Sequence, residues 1–454
     1  MIKIILSITL LLSSLFAEDI TIATGEKGGS YYKYGELISK NIFKNKAKVL
    51  KTTGSVDNML LVADGIVDVA FVQADALEML DIFYKSSNKN TSDLVEVVGK
   101  LYAETLHIIV DKNSGIKNLQ DLNGKVMSAG GQKSGSSVTA SYIENEFDIQ
   151  FSRVVSASIE NSLRLLKQRK VDVIFYVSKS PSDLLKRYDN IKLLDVTKKI
   201  TNNKHIKKTV VKQNNYRFLK KDLHTYEVDS LVIVKKGFKE IKKISKYFNM
   251  NPSSQNTSNT KASIEPVFKI PTNVLTNYTN LYGNRALVRM NFIDAHLARL
   301  KNEKTLVKLK EVNEIVNRLK YDSDINVWKS KDKWATPLQS LGTGLADIEE
   351  YALIKSLFLT KIGINPKKLK LIQKDTPFNF NGEKNPKNIT LAYFHKANKA
   401  PVILDYTDGA KSIYKYKNQF KYNFVKKPEG RTWNKILKNN FNSKDAEVIM
   451  SRLK

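Results

Sequence analysis

Four short stretches in the first half of this chain combine glycine with hydroxyl, amide or acidic side chains, and each stands where a β-like run gives way to a helical one. They are Gly28-Gly29-Ser30-Tyr31-Tyr32, Thr53-Gly54-Ser55-Val56-Asp57-Asn58, Gln73-Ala74-Asp75, and Gly130-Gly131-Gln132-Lys133-Ser134-Gly135-Ser136-Ser137. A strand-to-helix turn leaves backbone N–H groups and the positive end of a helix dipole pointing outward, which suits an anion. None of the four holds an arginine, so the expected occupant is a small carboxylate held by N–H and O–H donors. Ser55, Asp75 and Ser134 each also read as helix caps that need no ligand; the coincidence of four such turns favours binding. A further loaded stretch, Asp347-Ile348-Glu349-Glu350, opens a helix in the second half. Its acids read as a capping box that complements the helix dipole.

The elements that must carry these groups follow from hydrophobic periodicity. Ile20 to Ala23 alternates as a strand, and Tyr34, Leu37, Ile38 and Ile42 recur at helical spacing. Further strand candidates are 48–53, 68–73, 95–98, 107–111, 125–130, 172–177 and 230–234, with helical runs between many of them. Such alternation argues for α/β layers with parallel sheets, in which ligands bind beyond the carboxyl ends of the strands. Residues 249–260 are poor in apolar side chains and rich in Asn, Ser and Thr, so they read as a flexible linker. Beyond it, residues 285–300 look helical, and Leu309, Val312, Val316 and Leu319 form an apolar stripe. A helix from Asp347 should run to about Lys361 and stop near Gly363, before strands at 369–373, 389–394 and 402–405.

Composition sets the surroundings. The chain has 454 residues, 42% of them hydrophobic, enough for two or three packed domains. It opens with Met1-Ile2-Lys3, an apolar run from Ile4 to Leu12, and Ser13-Ser14-Leu15-Phe16-Ala17, the order of a secretory signal peptide. Export to the periplasm and cleavage after Ala17 are expected, with a retained N-terminal anchor as the alternative. The net charge is +30, carried by scattered pairs such as Lys207-Lys208 and Lys242-Lys243, which suit solvated faces and weak steering rather than nucleic acid. There is no cysteine, so disulfides, thiolate metal sites and a cysteine nucleophile are excluded.

Gly28-Gly29-Ser30-Tyr31-Tyr32, Thr53 to Asn58, Asp68 to Asp75, Leu101-Tyr102-Ala103-Glu104 and Ser114 to Lys125, continuing through Ser134-Gly135-Ser136 to the Tyr176 region, resemble the TAXI-type solute receptors of TRAP transporters. The resemblance implies a two-lobed periplasmic binding protein, type II-like, closing on a small organic acid or an amino acid such as glutamate. It implies ligand contacts at Gly29, Ser30, Tyr31, Tyr32, Thr53, Gly54, Ser55, Gln73, Asp75, Ser134, Ser136 and Tyr176. The sequence departs from that family where Glu26 and Lys27 stand and after Phe248.

Val312-Asn313, Asn317, Trp328, Asp332-Lys333-Trp334-Ala335-Thr336-Pro337, Gly342-Thr343-Gly344, Asp347 to Ala352, Lys355, Leu391-Ala392-Tyr393 and Leu404-Asp405 resemble the bacterial transglutaminase-like cysteine proteinases. These are periplasmic enzymes that clip biofilm adhesins under cyclic-di-GMP control. The resemblance implies an α+β papain/transglutaminase-like fold with a cysteine where Ile348 stands, a histidine where Asn388 stands and an aspartate at Asp405. It also implies calcium bound by acids beside the nucleophile, here Asp347, Glu349 and Glu350. Isoleucine cannot attack a carbonyl and asparagine cannot take its proton, so no catalytic residue and no enzyme activity are expected.

The expected organisation is a signal peptide over 1–17, a solute-binding domain over 18–248, a linker over 249–275 and a degenerate proteinase-like domain over 276–454. The expected function is a periplasmic receptor for a small carboxylate or amino acid, with the second domain serving protein interaction or signalling and Ca²⁺ the sole candidate cofactor. Expected partners are TRAP membrane subunits, or a membrane signalling receptor or adhesin. A plain transport receptor with a structural appendage is one alternative, and an atypical active peptidase another.

Overall fold

The computed structural model describes residues 20–85, 91–196, 200, 203–249, 266–328, 333–374, 378–380, 383–385, 389–395, 401–406, 413–415 and 422–425. The leader over 1–17, most of the predicted linker and Asn388 lie outside the described residues.

In the first unit, β1 (Thr21–Ala23), α1 (Ser30–Asn41), β2 (Lys48–Leu50), α2 (Ser55–Ala63), β3 (Val69–Gln73) and α3 (Ala74–Lys85) alternate as the periodicity implies. Strand β1 pairs in parallel with both β2 and β3, and β3 is buried along its whole length, which accounts for its unbroken apolar run. This is the first lobe. The second lobe is built on β5 (Val126–Ser128), α4 (Gly135–Glu146), β6 (Arg153–Val155), α5 (Ile159–Lys167) and β7 (Val173–Ser178), with β5 parallel to β6 and β7.

Two long strands tie the lobes together. They are β4 (Val95–Asp111) and β10 (Leu223–Lys235), and the whole forms a 10-stranded sheet in the order β2-β1-β3-β10-β4-β7-β5-β6. Strands β8 (Ile191–Leu193) and β9 (Ile206–Val211) add to β4 and β10. The separate runs predicted at 95–98 and 107–111 are therefore one strand. Its middle, with Lys100 exposed and Glu104 at 6% exposure, breaks the apolar pattern because it crosses between lobes rather than through one core. The β4–β10 ladder shifts register at Ser230/Leu231 and Val232/Ile233, and such bulges let strands bend.

After α6 (Ile241–Tyr247), the second unit begins with α7 (Thr272–Leu300), interrupted at Gly283, whose φ is 76°. It continues with α8 (Thr305–Val316), β11 (Lys320–Tyr321), α9 (Asp324–Trp328), α10 (Pro337–Thr343), β12 (Leu345–Ala346) and α11 (Ile348–Lys361). Helix α10 starts at a Thr336/Gln339 capping box with Pro337 at its first position. Helix α11 is buried on almost every side; it packs on an antiparallel sheet that includes β13 (Leu369–Lys374), β14 (Ile389–Tyr393) and β15 (Val402–Leu404). The apolar core is continuous across both units, with Val138 and Tyr142 of α4 in the same cluster as Leu287 of α7 and Leu341 of α10. Among the described residues no helix is long and apolar enough to cross a membrane.

Candidate functional site

The predicted turns meet at the boundary between the two lobes. Asn58, wholly buried, donates from its amide to the carbonyls of Thr24 and Phe71, the latter at 2.7 Å, and its Oδ1 accepts from Thr52 at 2.7 Å. One side chain thus pins the first two turns to β3. Ser55 accepts from the backbone N–H of Gln73 at 3.1 Å, which joins the third turn. The fourth turn comes from the other lobe. Lys133 accepts the Val56 N–H at 3.1 Å and pairs with Asp57 at 3.2 Å, so the N-terminus of α2 is closed by a protein carbonyl and the lobes touch.

Two glycines permit this approach. Gly54 has φ 125°, a conformation that side chains rarely adopt, and a Cβ there would lie 3.2 Å from Ser134 Cα. At Gly135 a Cβ would lie 1.8 Å from Gln73 Oε1 and 2.8 Å from Ser55 Oγ.

At the centre lie two buried carboxyl groups. Glu104 accepts from the Tyr31 hydroxyl at 2.8 Å, and burial pushes its pKa up to about 7. Asp75, 0% exposed, accepts from the Thr139 hydroxyl of the opposite lobe at 2.6 Å, and burial raises it to about 7 as well. Gln73 lies between them, with Oε1 lacking a hydrogen-bond partner among the described residues. The Tyr31 ring stacks on Phe71 with centroids 5.5 Å apart. The interior therefore offers acceptors as well as donors.

The remaining predicted residues are more peripheral. Gly29 caps α1, Ser30 is its first residue and Tyr32 is half-buried. Thr53 is exposed and bonded to Asp57. Ser134 caps α4 by accepting from Ser137 N–H at 3.2 Å, and Ser136 accepts from Val177 N–H at 3.0 Å. The Tyr176 carbonyl accepts from His107 at 3.3 Å. Glu104 and Thr139 are not among the site residues that the sequence singles out; the available signal for Glu104 is an acid midway along a strand.

The second unit presents a different arrangement. Ile348, 4% exposed, is the first residue of α11 and belongs to the core. Beside it, carboxylate oxygens of Asp324, Asp347 and Glu350 lie within 4.8 Å of one another. Glu350 accepts from Asp347 N–H at 2.9 Å, the reciprocal half of a capping box, and from Ala335 N–H at 2.6 Å. Burial, with Glu350 next in effect, pushes Asp347 up to about 10, and burial raises Glu350 to about 7. Glu349 is buried but is not one of the three. The Asp405 carbonyl accepts from Asn317 at 2.9 Å and from buried Lys355 at 3.3 Å.

Residues 22–250 match the sequence pattern of the NMT1-like family, which is half of the 454-residue chain. The chain belongs to the NMT1-like family. Residues 291–440 match the bacterial transglutaminase-like cysteine proteinases, BTLCP. This NMT1-like protein is thus a binding-protein-like domain joined to a proteinase-family domain. Among solved structures it is similar to Legionella pneumophila LapG, at 21% identity over 40% of this chain and 97% of that one, TM-score 0.28. It is also similar to the arginine-bound form of truncated ArgBP from T. maritima, at 10% identity over 51% and 94%, TM-score 0.34. A third is the GluR0 ligand-binding core with L-glutamate, at 9% identity over 52% and 92%, TM-score 0.34.

The expectation that the second domain is not an enzyme is corrected by the match of residues 291–440 to a proteinase family. That expectation rested on the side chains at 348 and 388 and on the lack of a thiol. The absence of one nucleophile type does not by itself exclude hydrolysis by another group.

Proposed function

We propose that the first unit is a receptor that closes on a small amino acid, and that the second unit couples to it through α7. The observation that carries this reading is the buried cluster of Tyr31, Gln73, Asp75, Glu104 and Thr139, which draws on both lobes and on hinge strand β4. Burying two carboxyls is costly unless their ionised forms find partners. A ligand ammonium would supply one to Glu104 and Asp75, while a ligand carboxylate would take the N–H and O–H donors of the turns at 53–55 and 134–136. Entry requires the lobes to part, breaking the Val56–Lys133 bond. The leader-like N-terminus supports export to the periplasm.

A thermal-shift series with amino acids and organic acids on the mature chain tests the receptor. An amino acid at 100 times its Kd should raise stability by about 2.7 kcal/mol through mass action. Uniform lack of response across the series would remove the receptor reading.

Coupling is supported by packing: α7 touches both α3 of the first lobe and α4 of the second, so separation of the lobes must shift it. A membrane signalling receptor, an adhesin or TRAP membrane subunits could read that shift only by binding the open and closed forms unequally.

The acids Asp324, Asp347 and Glu350 fit calcium, which takes carboxylate oxygens; Asp347 Oδ1 is buried with no hydrogen-bond partner among the described residues. Bound there, the ion would neutralise three crowded carboxyls and fix the start of α11 against α9. The proteinase match favours testing peptide cleavage directly. Because the chain holds no cysteine, cleavage would draw on a group other than a thiol. Incubation with an adhesin fragment, with and without calcium, reads it.

A further inference from the structure

A cavity of about 350 Å³ lies where the second lobe meets the proteinase-family domain, and none of Tyr31, Gln73, Asp75 and Glu104 lines it. Its walls carry Arg153 from the lobe and Arg285, Arg289, Arg318 and Lys320 from the second unit, against Glu144, Asp148 and Asp322. Arg285 is neutralised by Glu144. Arg289, Arg318 and Lys320 form no ion pair among the described residues: Arg289 donates to the carbonyls of Leu341 and Gly342, and Arg318 donates to Asn145 at 3.1 Å. Cationic groups held together with only backbone dipoles for partners favour an anion.

The rest of the wall is neutral where it meets the cations. Asn284 is 1% exposed and donates from Nδ2 to the Gln132 carbonyl, a bond that fixes which way its amide points. Its Oδ1 is shielded from solvent and has no hydrogen-bond partner among the described residues, so Asn284 serves to join the two walls rather than to hold a ligand. The Phe292 ring, 5.7 Å from the Arg318 guanidinium, supplies an apolar face.

We propose that this cavity is a second ligand site, taking a small oxyanion, a carboxylate or a hydrogen phosphate, held by Arg289, Arg318 and Lys320. Because its walls belong to different units, occupancy clamps one to the other. Ligand in the cavity therefore stabilises the docked arrangement by mass action.

Thermal unfolding of the full chain, titrated with inorganic phosphate and separately with malate at constant ionic strength, tests this. The expected result is a saturable rise in Tm with either probe that chloride does not reproduce. Lys320→Gln should weaken the apparent affinity at least tenfold and Arg318→Gln at least as much. Lys320 is exposed and forms no ion pair among the described residues, so its variant folds even if the Arg318 variant does not. Glu104→Gln, in the receptor cleft, should leave the response intact, which separates this site from the receptor. An equal effect of chloride, an unchanged response in Lys320→Gln, or a response abolished by Glu104→Gln would each overturn the proposal.

Discussion

The boundary between the two lobes and the start of α11 both bury carboxyl groups, but they partner them differently. At the boundary, Glu104 and Asp75 each accept from a neutral hydroxyl, Tyr31 and Thr139, the latter from the opposite lobe. At α11, three carboxyls converge, backbone N–H groups serve all three, and Asp347 keeps one oxygen with no hydrogen-bond partner among the described residues. A hydroxyl satisfies a carboxyl in either protonation state and releases it when the lobes part. Crowded carboxyls with little but backbone donors call for a proton or a metal ion, and they lie on helices within one unit rather than on a hinge. The first arrangement suits a site that opens, the second one that stays shut.

The contrast can be broken most strongly at α11. Calcium at 100 times its Kd should stabilise the chain by about 2.7 kcal/mol, and Asp347→Asn should abolish the calcium-dependent part; a Tm indifferent to calcium and chelator would remove the ion from the account. Next in size is Gly135→Ala, whose Cβ would overlap Gln73. It should weaken amino-acid binding by roughly tenfold or more, since overpacking costs about 1–3 kcal/mol, and titration calorimetry reads the change.

A smaller effect comes from pH. Glu104 and Asp75 have folded pKa values raised to about 7, well above those of the unfolded chain. The folded state therefore holds more protons between pH 4 and 7, and its stability falls as pH rises through that window. Without ligand, Glu104→Gln should flatten that fall, by roughly 1–3 kcal/mol across the window; an unchanged slope in chemical denaturation would show that Glu104 ionises freely.

Much of the first unit was legible because the signals were local. Glycine and hydroxyl residues mark strand-to-helix turns whatever the tertiary context, and the turns at 53–55, 73–75 and 134–136 do converge. What the sequence could not display was pairing across distance. Thr139 sits on the inner face of α4, chosen by contact with Asp75, 64 residues away, and no local pattern marks it. The same limit applies at α11. Asp347 and Glu350 are three apart and share a helix face, whereas Glu349 points elsewhere. The third acid, Asp324, arrives from a different helix. Strand β4 read as two runs because a strand that crosses between lobes loses its apolar periodicity midway.

The central claim is that Glu104 and its neighbours form a ligand site rather than a buried polar core. Its most direct measurement is titration calorimetry of the most stabilising amino acid against the wild-type chain and Glu104→Gln. The account predicts that the variant folds and binds at least 100-fold more weakly. Equal affinity in the two proteins would contradict it.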